Sequence, residues 1–166
     1  MAAGSVSVAR LRDMLKYDPN TGLVVWILPQ SNRVRPGEQA GGITRLGYLR
    51  VGISGRDYMV HRVAWALHYG GWPAGVIDHM DGNKVNNRIA NLRDVPASVN
   101  MQNRRSATGG SSSGLLGASW HAASGRWHAR IKIGGRTTSL GYHATPEDAH
   151  AAYVQAKRRL HAGCTI

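Results

Sequence analysis

Asp78 and His79 stand side by side in the stretch VIDHMDGNKVNNRIANLRDVPASVNMQNR, and asparagines follow at positions 83, 86, 87, 91, 100 and 103. A carboxylate and an amide oxygen are hard donors, suited to Mg²⁺ or Mn²⁺ rather than to a thiol-loving metal. Asp78 and Asn100 can hold one such ion between them, with phosphate oxygens and water completing its shell. Successive strand residues face opposite ways, so His79 is free of that shell and can take a proton from water. Acid, amide and histidine together suit hydrolysis of a phosphodiester: water activated by a general base attacks the phosphorus in line while the ion offsets charge on the phosphate and the leaving 3′-oxygen. Asn103, on the same helix, is an alternative to Asn100. Asn83, Asn86 and Asn87 read as turn-formers.

The surrounding elements must place these groups. Val76 and Ile77 read as a short strand ending at Asp78-His79, Asp-Gly-Asn turns the chain, and LRDV returns as a second strand. Pro96 suits a helix start, which predicts a helix from Ala97 to about Arg105. Asn91 lies at the base of the loop, and Asn100 projects from the helix. Upstream, VARLRDMLKYDPNTGLVVW predicts a helix, a turn at Asp18 to Gly22 and a strand through Val24 to Trp26. YLRVGISGRDYMVHR predicts a hairpin turning at Ser54-Gly55, with Leu49, Val51 and Ile53 inward. His61 to Tyr69 reads as a core helix in which His61 and His68 are packing residues and Arg62 can reach a phosphate.

With 21 Lys plus Arg against 9 Asp plus Glu, the chain carries +12 at a pI near 10.9, which points to a polyanion, nucleic acid first. It shows neither an apolar run of membrane-spanning length nor a basic amphipathic helix with a large apolar face, and no protein partner is evident. Its beginning, MAAGSVSVAR, lacks the apolar core of a secretory signal. One cysteine, Cys164, excludes disulfides within the chain and paired-cysteine zinc sites. RRSATGGSSSG has the composition of a flexible tether; the parts up to and beyond Arg105 carry +7 and +5, so both are expected to touch the polyanion. In the second part, GRWHARIKIGG alternates: Arg126, His128, Arg130 and Lys132 share one face, and Trp127, Ala129, Ile131 and Ile133 the other. GGR turns into TTSLGYH, and Thr145-Pro146-Glu147 starts a helix that can cover the apolar face. An open basic face can enter the DNA major groove. Arg104, Arg105 and Arg136 join Arg62 and the four strand residues as candidate DNA contacts.

IDHMDGNKVNNRIANLRDV followed by NMQNR resembles the HNH endonucleases of phages and mobile introns, members of the His-metal finger superfamily with a ββα-metal core. LKYDPNTGLVVW and YLRVGISGRDYMVHRVAWALHYGGWP are similar to their N-terminal region. The resemblance implies that Asp78 and Asn100 are metal ligands, His79 the general base and Asn91 the residue that orients it. GLLGASWHAASGRWHARIKIGGRTTSLGYHATPEDAHAAYVQAKRRLHAG resembles the APETALA-two or ethylene-response-factor DNA-binding domain, which implies a groove-reading sheet with Arg126, Arg130 and Lys132 on its contacting strand. Leu116, Ser119 and Ser139 depart from the plant pattern, so the plant target sequence does not transfer. The expected fold is α+β: a nuclease module over 1–105 with its ββα core at about 74–105, a linker at 106–114, and a three-stranded antiparallel sheet plus one helix over 115–163. The expected function is a metal-dependent endonuclease of the homing or phage type acting on double-stranded DNA, in the cytoplasm of a bacterial host. The alternative is a non-catalytic DNA-binding regulator with a degenerate finger.

Overall fold

The computed structural model describes residues 6–161 and 163–165, and its contacts divide the chain into two compact units, one ending at Pro96 and one beginning at Ala97. Helix α1 (Val8–Met14) starts where the Ser7 side chain accepts the Arg10 N–H, and leads into β1 (Leu15–Tyr17), which pairs antiparallel with β2 (Val24–Trp26). Asp18 closes the turn between them: its carboxylate accepts from Asn20 N and Thr21 Oγ1.

A three-stranded sheet follows, β3 (Gly42–Ile43), β4 (Leu49–Ile53) and β5 (Arg56–Met59), with β4 in the middle. Leu49, Val51 and Ile53 are buried while Arg50 and Gly52 are exposed, the alternation the sequence predicts. The β4–β5 turn places both Ser54 (φ 50°) and Gly55 (φ 75°) in the left-handed region, the conformation whose twist suits a two-residue hairpin. Helix α2 (Val60–Tyr69) buries Val60, His61, Val63, Ala64 and Ala66. Strands β6 (Val76–His79) and β7 (Leu92–Val95) then form an antiparallel ribbon in which Asp78 faces Arg93 and His79 faces Leu92. Ile77 and Leu92 join the core of Leu11, Met14, Leu15, Val24, Ile53, Val60 and Val63, so the ribbon is anchored through its apolar positions.

The second unit opens with α3 (Ala97–Gln102), shorter than the sequence predicts. Its last turn tightens: Asn103 N donates to the Asn100 carbonyl and Arg104 N to that of Met101, bonds that end an α-helix. Strands β8 (Ala118–His121), β9 (Arg126–Ile133) and β10 (Arg136–His143) form an antiparallel sheet with β9 central, and α4 (Pro146–Leu160) packs on one face of it. Thr145 caps α4 by accepting the Asp148 N–H, with Pro146 in the first turn. Gly117 lets β8 approach α4: a Cβ there would lie 2.1 Å from the Tyr153 ring. The end of α3 is tied into this unit. Buried Lys157 of α4 donates to the Arg104 carbonyl, and Gly163 N donates to Gln102 Oε1 at 2.9 Å. The serine-rich segment is partly folded too: Ser113 Oγ lies 2.8 Å from the Ala118 carbonyl and accepts the Leu115 N–H.

Candidate active site on the β6–β7 ribbon

His79 ends β6 with 5% of its surface exposed, and its Nε2 lies 3.0 Å from Asn87 Oδ1. An amide oxygen only accepts, so this bond puts the ring proton on Nε2 and leaves the lone pair on Nδ1. Asn87, read from the sequence as a turn-former, is thus the side chain bonded to His79. Asn91, implied by resemblance to orient the base, is bonded within the loop: its Nδ2 donates to Asp81 Oδ1 and to the Asn86 carbonyl, and its Oδ1 accepts the Asp81 N–H. Asp81 is the hub, also accepting from Asn86 Nδ2 and Asn83 N. Although burial opposes its charge, these hydrogen bonds from Asn86, Asn83 and Asn91 hold the Asp81 carboxyl below its usual range. The run of asparagines therefore builds a rigid loop around an ionised carboxylate.

The loop is also gripped from the far end of the sequence. Tyr17 OH donates to the Asn87 carbonyl at 2.7 Å, and Ile89 N donates to the Pro19 carbonyl. Burial, followed by the neighbouring Asp18, pushes the Tyr17 hydroxyl up to about 12, so it stays a donor. Gly22 (φ 79°) abuts the same backbone: a Cβ on it would lie 2.6 Å from Arg88 N and 2.7 Å from Asn87 C. DPNTG thus buttresses the loop that presents Asn87, a contact across 70 residues that sequence spacing does not announce.

Asp78 is likewise 5% exposed, and its Oδ2 accepts from Arg93 Nε at 2.8 Å and Nη2 at 2.6 Å. Both guanidinium bonds fall on one carboxylate oxygen. A buried carboxylate held this way is fixed in rotamer by a charge-assisted pair. Among the described residues there is no group of three or more His, Cys, Asp and Glu side chains able to hold a metal ion alone. The donor set fits an ion that keeps water and substrate phosphate oxygens in its shell, as Mg²⁺ does, and does not fit a closed protein cage.

The ring of His61, from α2, meets that of His79 at 5.1 Å and 88°, and Tyr48 lies 5.5 Å from His61 and 6.1 Å from His79. His61 is the packing residue the sequence predicts, but what it packs against is the candidate base. Arg62 is tied down rather than open to solvent: Nη1 donates to the Gly75 carbonyl and Nη2 to that of Pro73, bracing the α2–β6 connection.

In the second unit, Asn100 is half-buried on α3, whereas Asn103 is buried and its Oδ1 accepts from Thr165 Oγ1. On β9, Arg126, Arg130 and Lys132 are exposed and His128 is half-buried, while Ala129 and Ile131 are buried. Register extends the basic face onto β10 through Thr137, Ser139 and Tyr142. His128 stacks on Tyr142 with ring centres 4.4 Å apart and bonds Ser139 Oγ through Nε2. Arg130 and Lys132 also line one cleft with Arg104, Thr108 and Ser111. Arg105 donates to the Thr165 carbonyl and Oγ1. Arg136 pairs with Ile133, which puts it by register on the apolar side and not among the other basic residues.

Residues 58–102 match a family model described as HNH endonuclease, a span that runs from β5 through α3 and contains Asp78, His79, Asn87, Asn91 and Asn100. Over 70 residues the chain is 41% identical to the DNA endonuclease I-HmuI of Bacillus phage SP01, a match covering 39% of this chain and 40% of that protein. The chain thus spans less than half the length of that relative. A solved structure described as DNA binding and cleavage by the HNH homing endonuclease I-HmuI aligns at 30% identity and a TM-score of 0.43, covering 59% of this chain and 55% of the other. Among the described residues no helix is long and apolar enough to cross a membrane. The similarity of this chain to the HNH endonucleases is thus carried by the segment from Tyr58 to Gln102.

Proposed function

We propose that the chain is a divalent-metal-dependent DNA endonuclease in which His79 activates the attacking water. The observation that carries this reading is the hydrogen bond from His79 Nε2 to Asn87 Oδ1, within the segment that matches the HNH endonucleases. It fixes the tautomer a general base needs. With Nε2 protonated, Nδ1 takes the proton of a water aligned with the scissile phosphorus, and the resulting imidazolium remains hydrogen-bonded through Nε2 to the Asn87 oxygen. Asn87 is the positioning residue, and Asn91 acts one step further out by holding the loop.

Asp78 and Asn100 are the proposed ligands of one Mg²⁺ or Mn²⁺ ion. Arg93 holds Asp78 through Oδ2 and so fixes the carboxylate that would face the ion. Asn100 is favoured over Asn103 because it lies within the matched span and is half-exposed, while the Asn103 amide is bonded to Thr165. Bound there, the ion would offset the negative charge that builds on the phosphate and the leaving 3′-oxygen.

The sheet of the second unit is the proposed DNA-contacting surface, in the manner of the APETALA-two-like domains that its sequence resembles. Arg126, Arg130 and Lys132 stand on its open face without a carboxylate among their strand neighbours, and Arg104 extends the positive surface along the shared cleft. Supercoiled plasmid tests the whole reading: it should be nicked or cut with Mg²⁺ or Mn²⁺ and left intact with chelator. Binding without cleavage at any metal concentration would mark a non-catalytic finger.

A further inference from the structure

We infer that His61 is a positioning residue of the nuclease site, its flat ring forming the wall that holds His79 in the Asn87-bonded orientation. This rests on the reading of His79 as the base. A hydrogen bond fixes one ring atom, and packing against the ring limits its swing about the side-chain axis. His61 supplies it at 5.1 Å with the two rings at 88°, an edge-to-face contact in the favourable range for aromatic pairs. Tyr48 adds a third ring, flanking both imidazoles. The wall is itself rigid. His61 sits in the second position of α2, is 8% exposed, and lies between Val60 and the fully buried Val63 and Ala64.

His61 Nδ1 is buried with no hydrogen-bond partner among the described residues, so no polar contact competes with its packing against His79. Its burial, then the nearby His79 and Arg62, pushes its pKa down to about 3, so it stays neutral and places no second positive charge beside His79 when that ring takes up a proton. The service His61 performs is thus geometric, and a neutral flat ring suffices for it.

The test compares His61→Phe with His61→Leu in the full chain. Both fill the site with apolar volume, and only phenylalanine presents a flat face. Single-turnover cleavage, its pH profile and the His79 tautomer, read from imidazole ¹⁵N shifts, are measured for each. The phenylalanine variant should cut within about threefold of the parent with the same pH profile. The leucine variant should fall further, by up to about tenfold, and show a mixed His79 tautomer, the loss expected when one aromatic contact stops holding the ring. If leucine disturbs folding, His61→Met serves in its place. Parent-like rate and tautomer in the leucine or methionine variant would overturn the inference. So would loss of cleavage in both Phe and Leu variants with the tautomer unchanged, since that assigns the work to the His61 nitrogens. His79→Ala run alongside separates the two levels: if it cuts normally, the reading of His79 fails, whatever His61 does.

Discussion

Replacing Asn87 by alanine removes the acceptor of the His79 Nε2 proton without touching the ribbon that carries the histidine. A buried donor left without its acceptor loses about 1–3 kcal/mol. At about 1.4 kcal/mol per factor of ten, that lowers the population of the productive tautomer and orientation by roughly 5- to 150-fold. The upper bound is the whole contribution of a general base, about 10²- to 10⁴-fold. Single-turnover cleavage should therefore fall about 10- to 100-fold in Asn87→Ala. Stability should change little, because Asn87 Nδ2 has no partner among the described residues and removing that unsatisfied donor offsets the orphaned His79 N–H. Asn91→Ala should behave in the opposite manner. Its side chain bonds Asp81 twice and the Asn86 carbonyl once, and at about 1 kcal/mol per bond the loop loses roughly 3 kcal/mol. Thermal melts paired with cleavage under saturating enzyme distinguish them. Parent-like cleavage by Asn87→Ala, with Asn91→Ala slow at unchanged stability, would return the orienting role to Asn91 and refute the reasoning.

Gly22→Ala should lower both melting temperature and cleavage, since it strains a left-handed position by more than about 1 kcal/mol and drives a methyl into the Asn87–Arg88 backbone. Gly37→Ala, also left-handed but open on all sides, is the control that should leave cleavage alone. His61, held at about 3 in the folded chain, returns to about 6.5 on unfolding, so below that value the unfolded state binds the extra proton. Its contribution to stability is full above about pH 6.5 and lost as the pH falls towards 3; urea midpoints at about pH 7.5 and 5 should differ, and by less in His61→Phe. Alanine at Arg126, Arg130 or Lys132 should weaken DNA binding and reduce its salt slope by about one each, whereas Arg136→Ala, on the apolar side by register, should leave both near the parent values in gel shifts.

What the sequence made legible was whatever depends on neighbours along the chain. The alternation of Leu49, Val51 and Ile53, the Ser54-Gly55 turn, the strand pair around Asp-Gly-Asn and the Thr145-Pro146 helix start all rest on local periodicity and turn chemistry, and all are present. The two faces of β9 followed in the same way. What could not be read was contact between distant segments. Asn87 looks like any loop asparagine until Tyr17 and Gly22 pin its backbone. Arg62 reads as a phosphate ligand from the sequence, and the Gly75 and Pro73 carbonyls that the chain folds onto it could not be read there. The Asp78–Arg93 pair lay between the two: once the ribbon is assumed, its register puts them opposite, but only three dimensions show both guanidinium nitrogens on one oxygen. The early end of α3 has the same origin, since Lys157, Gly163 and Thr165 take up groups at its C-terminal end.

The most direct test of the central claim is single-turnover cleavage of supercoiled DNA by His79→Ala at saturating Mg²⁺, with DNA affinity measured on the same preparation. A base that acts only in the transition state predicts a loss of about 10²- to 10⁴-fold in rate with affinity within about twofold of the parent. Cleavage at the parent rate would contradict the account, because no other side chain has been assigned to take the proton from water.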